Sequence, residues 1–260
     1  MLELFRTIRD HRDLILSFAL RDIKARYKQT ALGVVWAVLQ PVSMMVIFTL
    51  VFSLFAKVPS DGLPYPIFAY SSLVFWTFFS TVITGGTLAM VANSPLIRKI
   101  YFPRETLLIA VLIAGALDLV IASTIFAGML VYYKIHVTLA VFWVIPLLAL
   151  QILFSLGVVS LTSAAHVNFR DIGHAIPLLT QIWLLATPVA YPMSVIPDWV
   201  RPLYALNPMA PIIEGYRRAI LHGMRPDFEA LAVAALCILL FTGVTFSFFK
   251  RAERTFADVI

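Results

Sequence analysis

Charged side chains are scarce in this sequence. Asp, Glu, Lys and Arg together make up only 13% of the 260 residues, whereas 61% are hydrophobic. The mean hydropathy is +0.91, and a soluble domain of this length cannot bury so much apolar side chain. The composition therefore predicts a polytopic membrane protein. The net charge of +6 does not indicate a nucleic-acid partner, because the basic residues lie beside apolar segments.

Cysteine and the motifs of catalysis are also scarce. Cys237, in the last apolar run, is the single cysteine, so no intrachain disulfide can form. No glycine-rich loop ends in Gly-Lys-Ser/Thr, so we expect no nucleotide site in this chain. The five histidines lack an HExxH pattern and cysteine partners, which argues against a metal site. We therefore predict no catalytic, cofactor-binding or metal-binding residue, and no enzymatic activity in this chain.

Long apolar segments dominate what is present. A helix that crosses a bilayer needs about 20 apolar residues. Six segments meet this requirement: about 33–56, 66–92, 106–132, 139–165, 173–193 and 228–249. The sequence thus predicts an all-α membrane protein with six transmembrane helices, and longer polar connections at 93–105 and 194–227.

The distribution of Lys and Arg predicts the orientation. With six spans, both termini lie on one side of the membrane, and that side holds fourteen of the twenty Lys and Arg residues. Loops rich in Lys and Arg stay in the cytoplasm. We therefore expect a multi-pass protein with both termini in the cytoplasm.

The first 30 residues are basic and amphipathic. Apolar patches at 4–8 and 14–19 flank Asp10, which we expect to cap a helix restart. Such a segment lies in the membrane interface, with its apolar face toward lipid. Four cations directly precede the first span: Arg21, Lys24, Arg26 and Lys28. The segment is either a simple topology anchor or a docking site for a cytoplasmic partner.

The segment 93–105, NSPLIRKIYFPRE, reads as a short cytoplasmic helix. Asn93-Ser94-Pro95 suits a helix start, and Phe102-Pro103 suits its end, because the residue before proline avoids the helical region. The segment carries more apolar side chains than a solvated loop needs. We expect it to pack into a groove of another protein or at the membrane surface.

The segment 194–227 is too rich in proline for a span and too apolar for a free loop. Two short helices fit, at about 197–206 and 209–222, with a hinge at Asn207-Pro208. Irregular backbone at membrane depth requires cover from protein or a water-filled cavity. We predict a re-entrant or interfacial hairpin on the outer face. The alternative is a well-packed external cap without a gating role.

Two features inside the spans leave alternatives open. Asp118 is an acid in the middle of the third span, and a buried charge there indicates either a functional site or a hydrogen-bonded group between helices. Aromatic residues crowd the second span from Tyr65 to Phe79. They suit helix packing, lipid contact or a conduit for sugar rings.

Four segments together resemble the ABC-2 type permeases, and most closely exporters of O-antigen polysaccharide and teichoic acid. They are RDIKARYKQTALGVVWAVLQP at the first span, LIRKIYFPRE after the second, NFRDI after the fourth and LNPMAPIIEGYRRAIL before the last. The resemblance covers essentially the whole chain. It implies an interface helix over 1–30, followed by an ABC-2 transmembrane domain over 31–260.

The resemblance also implies partners and residue roles. The permease would be a homodimer that works with two copies of a separate subunit, which binds ATP and Mg. Coupling to that ATPase would fall on Leu96, Ile97, Arg98, Lys99, Tyr101, Phe102 and Arg104. The outer gate would include Asn207, Pro208, Glu214 and Arg217. Candidates for the channel wall are Trp36, Phe48, Trp183 and Tyr191.

The implied function is ATP-driven export of a lipid-linked polysaccharide of the O-antigen type across the bacterial cytoplasmic membrane, as in lipopolysaccharide biosynthesis. Exporters of capsule, teichoic acid, lipid or drugs are the alternatives within the family. An ion-coupled secondary transporter that uses Asp118 is an alternative outside it, and so is a membrane transferase, which would need a cluster of acids or histidines.

Relocation of the cations Arg21, Lys24, Arg26 and Lys28 away from the first span separates the two roles of this segment. We expect correct insertion with loss of export, because the charges face a cytoplasmic partner as well as orienting the span. A reporter fused to the C-terminus measures orientation, and surface glycan measures export. Altered insertion alone would leave only the topology role.

Overall fold

The computed structural model describes residues 2–28, 33–197, 199–200, 204 and 206–259, and no strand occurs among them. The helix expected at about 197–206 falls largely outside these residues. The described chain forms eleven helices. They are α1 Leu2–Asp10, α2 Arg12–Tyr27, α3 Val35–Phe48, α4 Tyr65–Ala92, α5 Ser94–Lys99, α6 Glu105–Tyr132, α7 Val144–Asn168, α8 Ile172–Leu185, α9 Met209–Ile220, α10 Phe228–Ala252 and α11 Phe256–Val259.

Five stretches of helix are long and apolar enough to cross a membrane, so the chain is a multi-pass membrane protein. The first combines α3 with a π-helical continuation to Phe55, and the others contain α4, α6, α7 and α10. Their bounds are Val35–Phe55, Tyr65–Ala92, Glu105–Tyr132, Leu139–Asn168 and Phe228–Thr255. These five agree with five of the six predicted segments.

The segment expected to span at 173–193 differs from the prediction. Its helix, α8, has 14 residues and ends at Leu185. At 1.5 Å per residue this is about 21 Å, which is shorter than the hydrocarbon core of about 30 Å. The chain then turns over 186–191. Pro188 explains the end of the helix, because a residue before proline is driven out of the helical region.

The N-terminal segment restarts one residue later than predicted. Asp10 is the last residue of α1, and His11 precedes α2 without a capping hydrogen bond from its side chain. One apolar face of α2 is buried in protein rather than in lipid, since Phe18 and Ala19 pack among the core residues. Leu16 and Leu20 on the same helix are about half exposed. Helix α2 thus has apolar residues both on the face that packs in the core and on its exposed surface.

Helix α4 lies at the centre of the bundle and contacts α3, α6, α7, α8 and α9. Its aromatic residues belong to this core. The Phe79 ring stacks on Phe154 of α7 at 5.7 Å, and Trp183 of α8 lies edge-on to Phe79 at 5.1 Å. Helix packing therefore explains the aromatic density of the second predicted span.

Helices α7 and α10 approach closely at Gly157. A Cβ atom at this position would lie 2.6 Å from Oγ1 and 3.1 Å from Cα of Thr242. The same Thr242 hydroxyl donates a hydrogen bond to the Leu153 carbonyl at 3.0 Å. The absence of a side chain at Gly157 is what permits this contact.

The Gly157→Ala variant should therefore lower the thermal stability of the purified protein in detergent. Overpacking costs about 1–3 kcal/mol, which exceeds the gain in helix propensity of at most about 1 kcal/mol. Gly243→Ala on α10 is the matched control, because a Cβ there meets no described atom within 4 Å. That control should be neutral or slightly stabilising. Equal melting temperatures for the two variants would contradict this account of the contact.

Candidate functional site

A cavity of about 510 Å³ lies between α3, α4 and α8, and it is called the polar cavity for the hydroxyl and amide groups that interrupt its otherwise apolar wall. Hydroxyl groups of α4 line it at helical spacing, and Gln40, Thr180 and Gln181 add further polar groups. The hydroxyl residues are Thr77, Ser80, Thr81 and Thr84. They follow the spacing i, i+3, i+4, i+7 and therefore form one stripe of the helix. The spacing of these four hydroxyl residues can be read from the sequence, but the sequence-based prediction for this span considered only its aromatic residues.

The four aromatic wall candidates do not themselves line this cavity. Trp36 is half exposed on α3, one helical turn before Gln40, whereas Phe48 is buried beside Phe52. Trp183 and Tyr191 take part in contacts at the outer end of α8. Among the four candidates, only Trp36 is exposed on a helix that lines the cavity, and the aromatic residue of the cavity wall is Trp76 of α4.

An ion pair lies at the end of the cavity that Arg26 of α2 lines. The Arg26 guanidinium donates to one carboxylate oxygen of Asp118 at 2.6 Å, and the Tyr27 hydroxyl donates to the other. Burial first, and then this hydrogen bond, raise the pKa of Tyr27. Asp118 is therefore a hydrogen-bonded group that ties α2 to α6, which was one of the two interpretations of its sequence position.

Arg26 borders two cavities. It lines the polar cavity and also a second one of about 460 Å³ between α2, α4 and α6. The other interface cations are placed differently. Arg21 pairs with its neighbour Asp22 at 2.9 Å, whereas Lys24 and Lys28 are exposed. The four predicted cations thus divide into two that are paired with carboxylates and two that face outward.

Asn207 joins the end of α8 to the start of α9. Its carbonyl oxygen accepts the Trp183 indole N–H at 3.0 Å and the Met209 backbone N–H at 3.1 Å. Its amide donates to the Thr187 hydroxyl at 2.9 Å. Pro208 follows directly and precedes the first turn of α9. Asn207-Pro208 therefore connects the turn after α8 with the helix beyond it.

A tyrosine pair lies beside this junction. The hydroxyls of Tyr191 and Tyr204 lie 2.6 Å apart, and the Tyr191 hydroxyl also donates to the Leu185 carbonyl at 2.8 Å. Burial first, and then the hydrogen bond with Tyr204, raise the pKa of Tyr191. The pair holds the turn after α8 against the segment that leads to α9.

Arg217 is a fully buried cation on α9. It donates to Glu214 at 2.9 Å, to the Ser72 hydroxyl of α4 at 2.7 Å and to the Pro188 carbonyl at 2.9 Å. Its guanidinium also lies 3.9 Å from the centroid of the Phe68 ring. Burial lowers the pKa of Arg217, and the nearby Glu214 carboxylate opposes this effect. Arg217 therefore braces α9 against α4 and the turn after α8.

The segment 93–105 has the short helix that its sequence predicted, α5. Ile97, Phe102 and Arg104 are buried, and Leu96 is partly buried. Arg98, Lys99 and Tyr101 are exposed, and the exposed fraction of Tyr101 reaches 86%. The Arg104 guanidinium lies 5.0 Å from the Tyr101 ring centroid. The buried residues Ile97, Phe102 and Arg104 therefore act as anchors, and the residues between Ile97 and Phe102 are exposed.

Comparison with known proteins shows similarity along the whole chain. A family model described as ABC-2 type transporter matches residues 13–221. The chain is 31% identical to the O-antigen export system permease protein RfbA of Myxococcus xanthus, over the full length of both. A protein of the same name from Klebsiella pneumoniae is 26% identical over 95% of each chain. The polysialic acid transport protein KpsM of Escherichia coli is 22% identical over 90% of this chain and 92% of its own.

The Arg217 contacts predict a large effect of a conservative substitution. Arg217→Lys keeps the charge but cannot reach all the acceptors of the guanidinium fork. Buried acceptors left unsatisfied should lower the free energy of unfolding by about 1–3 kcal/mol, measured as a lower melting temperature in detergent. Arg218→Lys is the control on the next residue, which has no carboxylate partner among the described residues. Equal stability of both variants would contradict the bracing role.

Proposed function

The chain belongs to the ABC-2 type transporter family, and we propose that it is the transmembrane permease of an ATP-driven exporter of a lipid-linked polysaccharide. The observation that carries this proposal is the full-length similarity to an O-antigen export permease. The substrate would be a glycan of the O-antigen type that crosses the bacterial cytoplasmic membrane. Export of a capsular polysaccharide is the second candidate, because the weaker match to a polysialic acid transport protein also spans most of both chains.

The energy source is proposed to be a separate ATP-hydrolysing subunit. The sequence contains no phosphate-binding loop of the Gly-Lys-Ser/Thr type. ATP and Mg would therefore be bound by two copies of the partner, one for each permease. The excess of Lys and Arg on one side favours cytoplasmic termini, which would put α5 on the same side as such a partner. This orientation requires that α8 and the turn after it complete a sixth crossing between α7 and α10.

A homodimer accounts for the polar groups that a single chain leaves uncovered. Gln40 of α3 and Gln181 of α8 are exposed beside the half-buried hydroxyl stripe of α4. Amide groups that face hydrocarbon without partners are costly. A second copy would cover this face, and the two cavities would form a channel whose hydroxyls and amides can exchange hydrogen bonds with sugar hydroxyls. Trp36 is exposed one helical turn before Gln40 and would extend this wall, whereas Phe48 is buried beside Phe52. Trp183 and Tyr191 would shape the outer end of the channel.

The outer gate is proposed to move at Asn207-Pro208. Arg217, which pairs with Glu214 on its own helix, anchors α9 to Ser72 of α4, so α9 is the fixed part of the hairpin. The junction at Asn207-Pro208 would then be the moving part. Its hydrogen bonds through Asn207 would hold the closed state.

The proposed cycle begins when ATP closes the ATPase dimer. The exposed residues of α5 transmit this motion through their buried anchors to α4 and α6, and the basic end of α2 borders the same partner. Repeated cycles move the glycan through the channel. Asp118 has a structural explanation in its pairing with Arg26 and Tyr27, so a proton-coupled mechanism lacks the free carboxylate that favoured it.

Charge reversal at the exposed end of α5 tests the coupling role. Arg98→Glu/Lys99→Glu should abolish glycan export and stimulation of the ATPase in cells that lack the original gene, because these side chains would face the partner. Lys57→Glu/Lys134→Glu removes the same charge from the opposite, outer loops and should retain export. A C-terminal reporter checks that neither variant changes orientation. Normal export and ATPase stimulation by the first variant would refute the coupling assignment.

A further inference from the structure

Both ends of the described chain meet at one buried carboxylate. Glu105, the first residue of α6, is only 1% exposed. The Lys250 ammonium near the end of α10 donates to both of its oxygens, each at 3.0 Å. The Thr7 hydroxyl of α1 donates to one of these oxygens, also at 3.0 Å. Three helices that are distant in sequence are thus joined directly behind the segment 93–105.

The C-terminal residues extend this contact onto α5. Lys250 also donates to Glu253 at 3.0 Å, and Glu253 begins the short 3-10 turn that follows α10. The next residue after this turn, Phe256, is fully buried, and its ring lies edge-on to Phe249 at 5.6 Å. Helix α11, which Phe256 begins, lies against α5.

Helix α5 depends on such neighbours for its position. It has six residues, and an isolated helix of this length is not stable in water. Phe102, which follows it, packs on Phe18 of α2 with ring centroids 5.6 Å apart. The segment is therefore held by α2 through one aromatic contact and by the C-terminal residues through α11. Residues 98–101 form an exposed part of the segment.

We propose that Lys250, Glu105 and Phe256 form a strut that holds α5 in position. Because α5 is held, its movement would be transmitted to the spanning helices and would drive export. This inference rests on the proposed function, in which α5 receives motion from the ATPase. The three residues are positioning residues, since they lie behind α5 rather than among its exposed side chains. Without Lys250, the buried Glu105 carboxylate loses its cation, and a buried unpaired charge forces its surroundings to rearrange. The partner would still bind the exposed residues, but hydrolysis would no longer drive export.

The test uses the full chain expressed with its ATPase in cells that lack the original permease gene. Lys250→Met should retain co-purification of the ATPase and ATP hydrolysis, while surface glycan is lost. Lys250→Arg keeps a cation at this position and should restore export. Arg251→Met is the matched control, because Arg251 is exposed and adjacent on the same helix. It should export like the unmodified protein.

Export by Lys250→Met at the level of Arg251→Met would overturn the strut. Loss of ATPase co-purification would also overturn it, because the residue would then belong to the docking surface. If Lys250→Met does not accumulate in the membrane, deletion of residues 256–260 decides the question. That deletion removes α11 but leaves the Lys250–Glu105 pair, and the same loss of export with retained hydrolysis is expected. Normal export by the deletion variant would refute the strut.

The charge-reversal variant of Arg98 and Lys99 separates this failure from failure of the proposed function. If it loses export while the strut variants do not, α5 couples to the ATPase and only the strut is wrong. If it also exports normally, the coupling assignment itself fails.

Discussion

Burial of α4 is the constraint on which the rest of the structure depends. A helix that is apolar around nearly its whole circumference is stable only when other helices surround it, and α4 is surrounded by α3, α6, α7, α8 and α9. One stripe, from Thr77 to Thr84, is polar and only half buried. The polar cavity lies along this stripe, between α4 and the neighbouring helices α3 and α8. The position of the cavity is therefore a direct consequence of which part of α4 the core does not cover.

Charged side chains hold the basic end of α2, helix α9 and the C-terminal end of α10 to the rest of the bundle. The Arg26–Asp118 pair fixes the basic end of α2 to α6, and Arg217 fixes α9 to α4. Lys250 fixes the C-terminal end of α10 to the first residue of α6. Charged groups are costly in an apolar bundle unless they are paired. The Arg26–Asp118 and Lys250–Glu105 pairs and the hydrogen bond from Arg217 to Ser72 each hold two elements together, so motion must occur between these points.

The sequence analysis succeeded where one physical rule dominates. Apolar length predicted six spanning segments, five of which are long apolar helices, and the proline and capping pattern at 93–105 predicted α5. At 173–193 the sequence predicted a full span, whereas the apolar helix there ends at Leu185 and the chain then turns, which hydropathy alone could not show. It also favoured aromatic wall residues, although Phe48 and Trp183 pack within the bundle. The hydroxyl spacing on α4 was the better signal, because a polar stripe in an apolar helix needs a polar neighbour.

The sequence by itself determined that the chain enters a membrane as helices, since apolar length and hydrogen bonding within each helix leave few alternatives. Its resemblance to ABC-2 permeases also determined the family. Tertiary structure decided which charges pair. Glu105 and Lys250 lie 145 residues apart, and Arg26 and Asp118 lie 92 apart. Such partners depend on how helices are arranged around α4, and residue spacing within one helix carries no information about that arrangement.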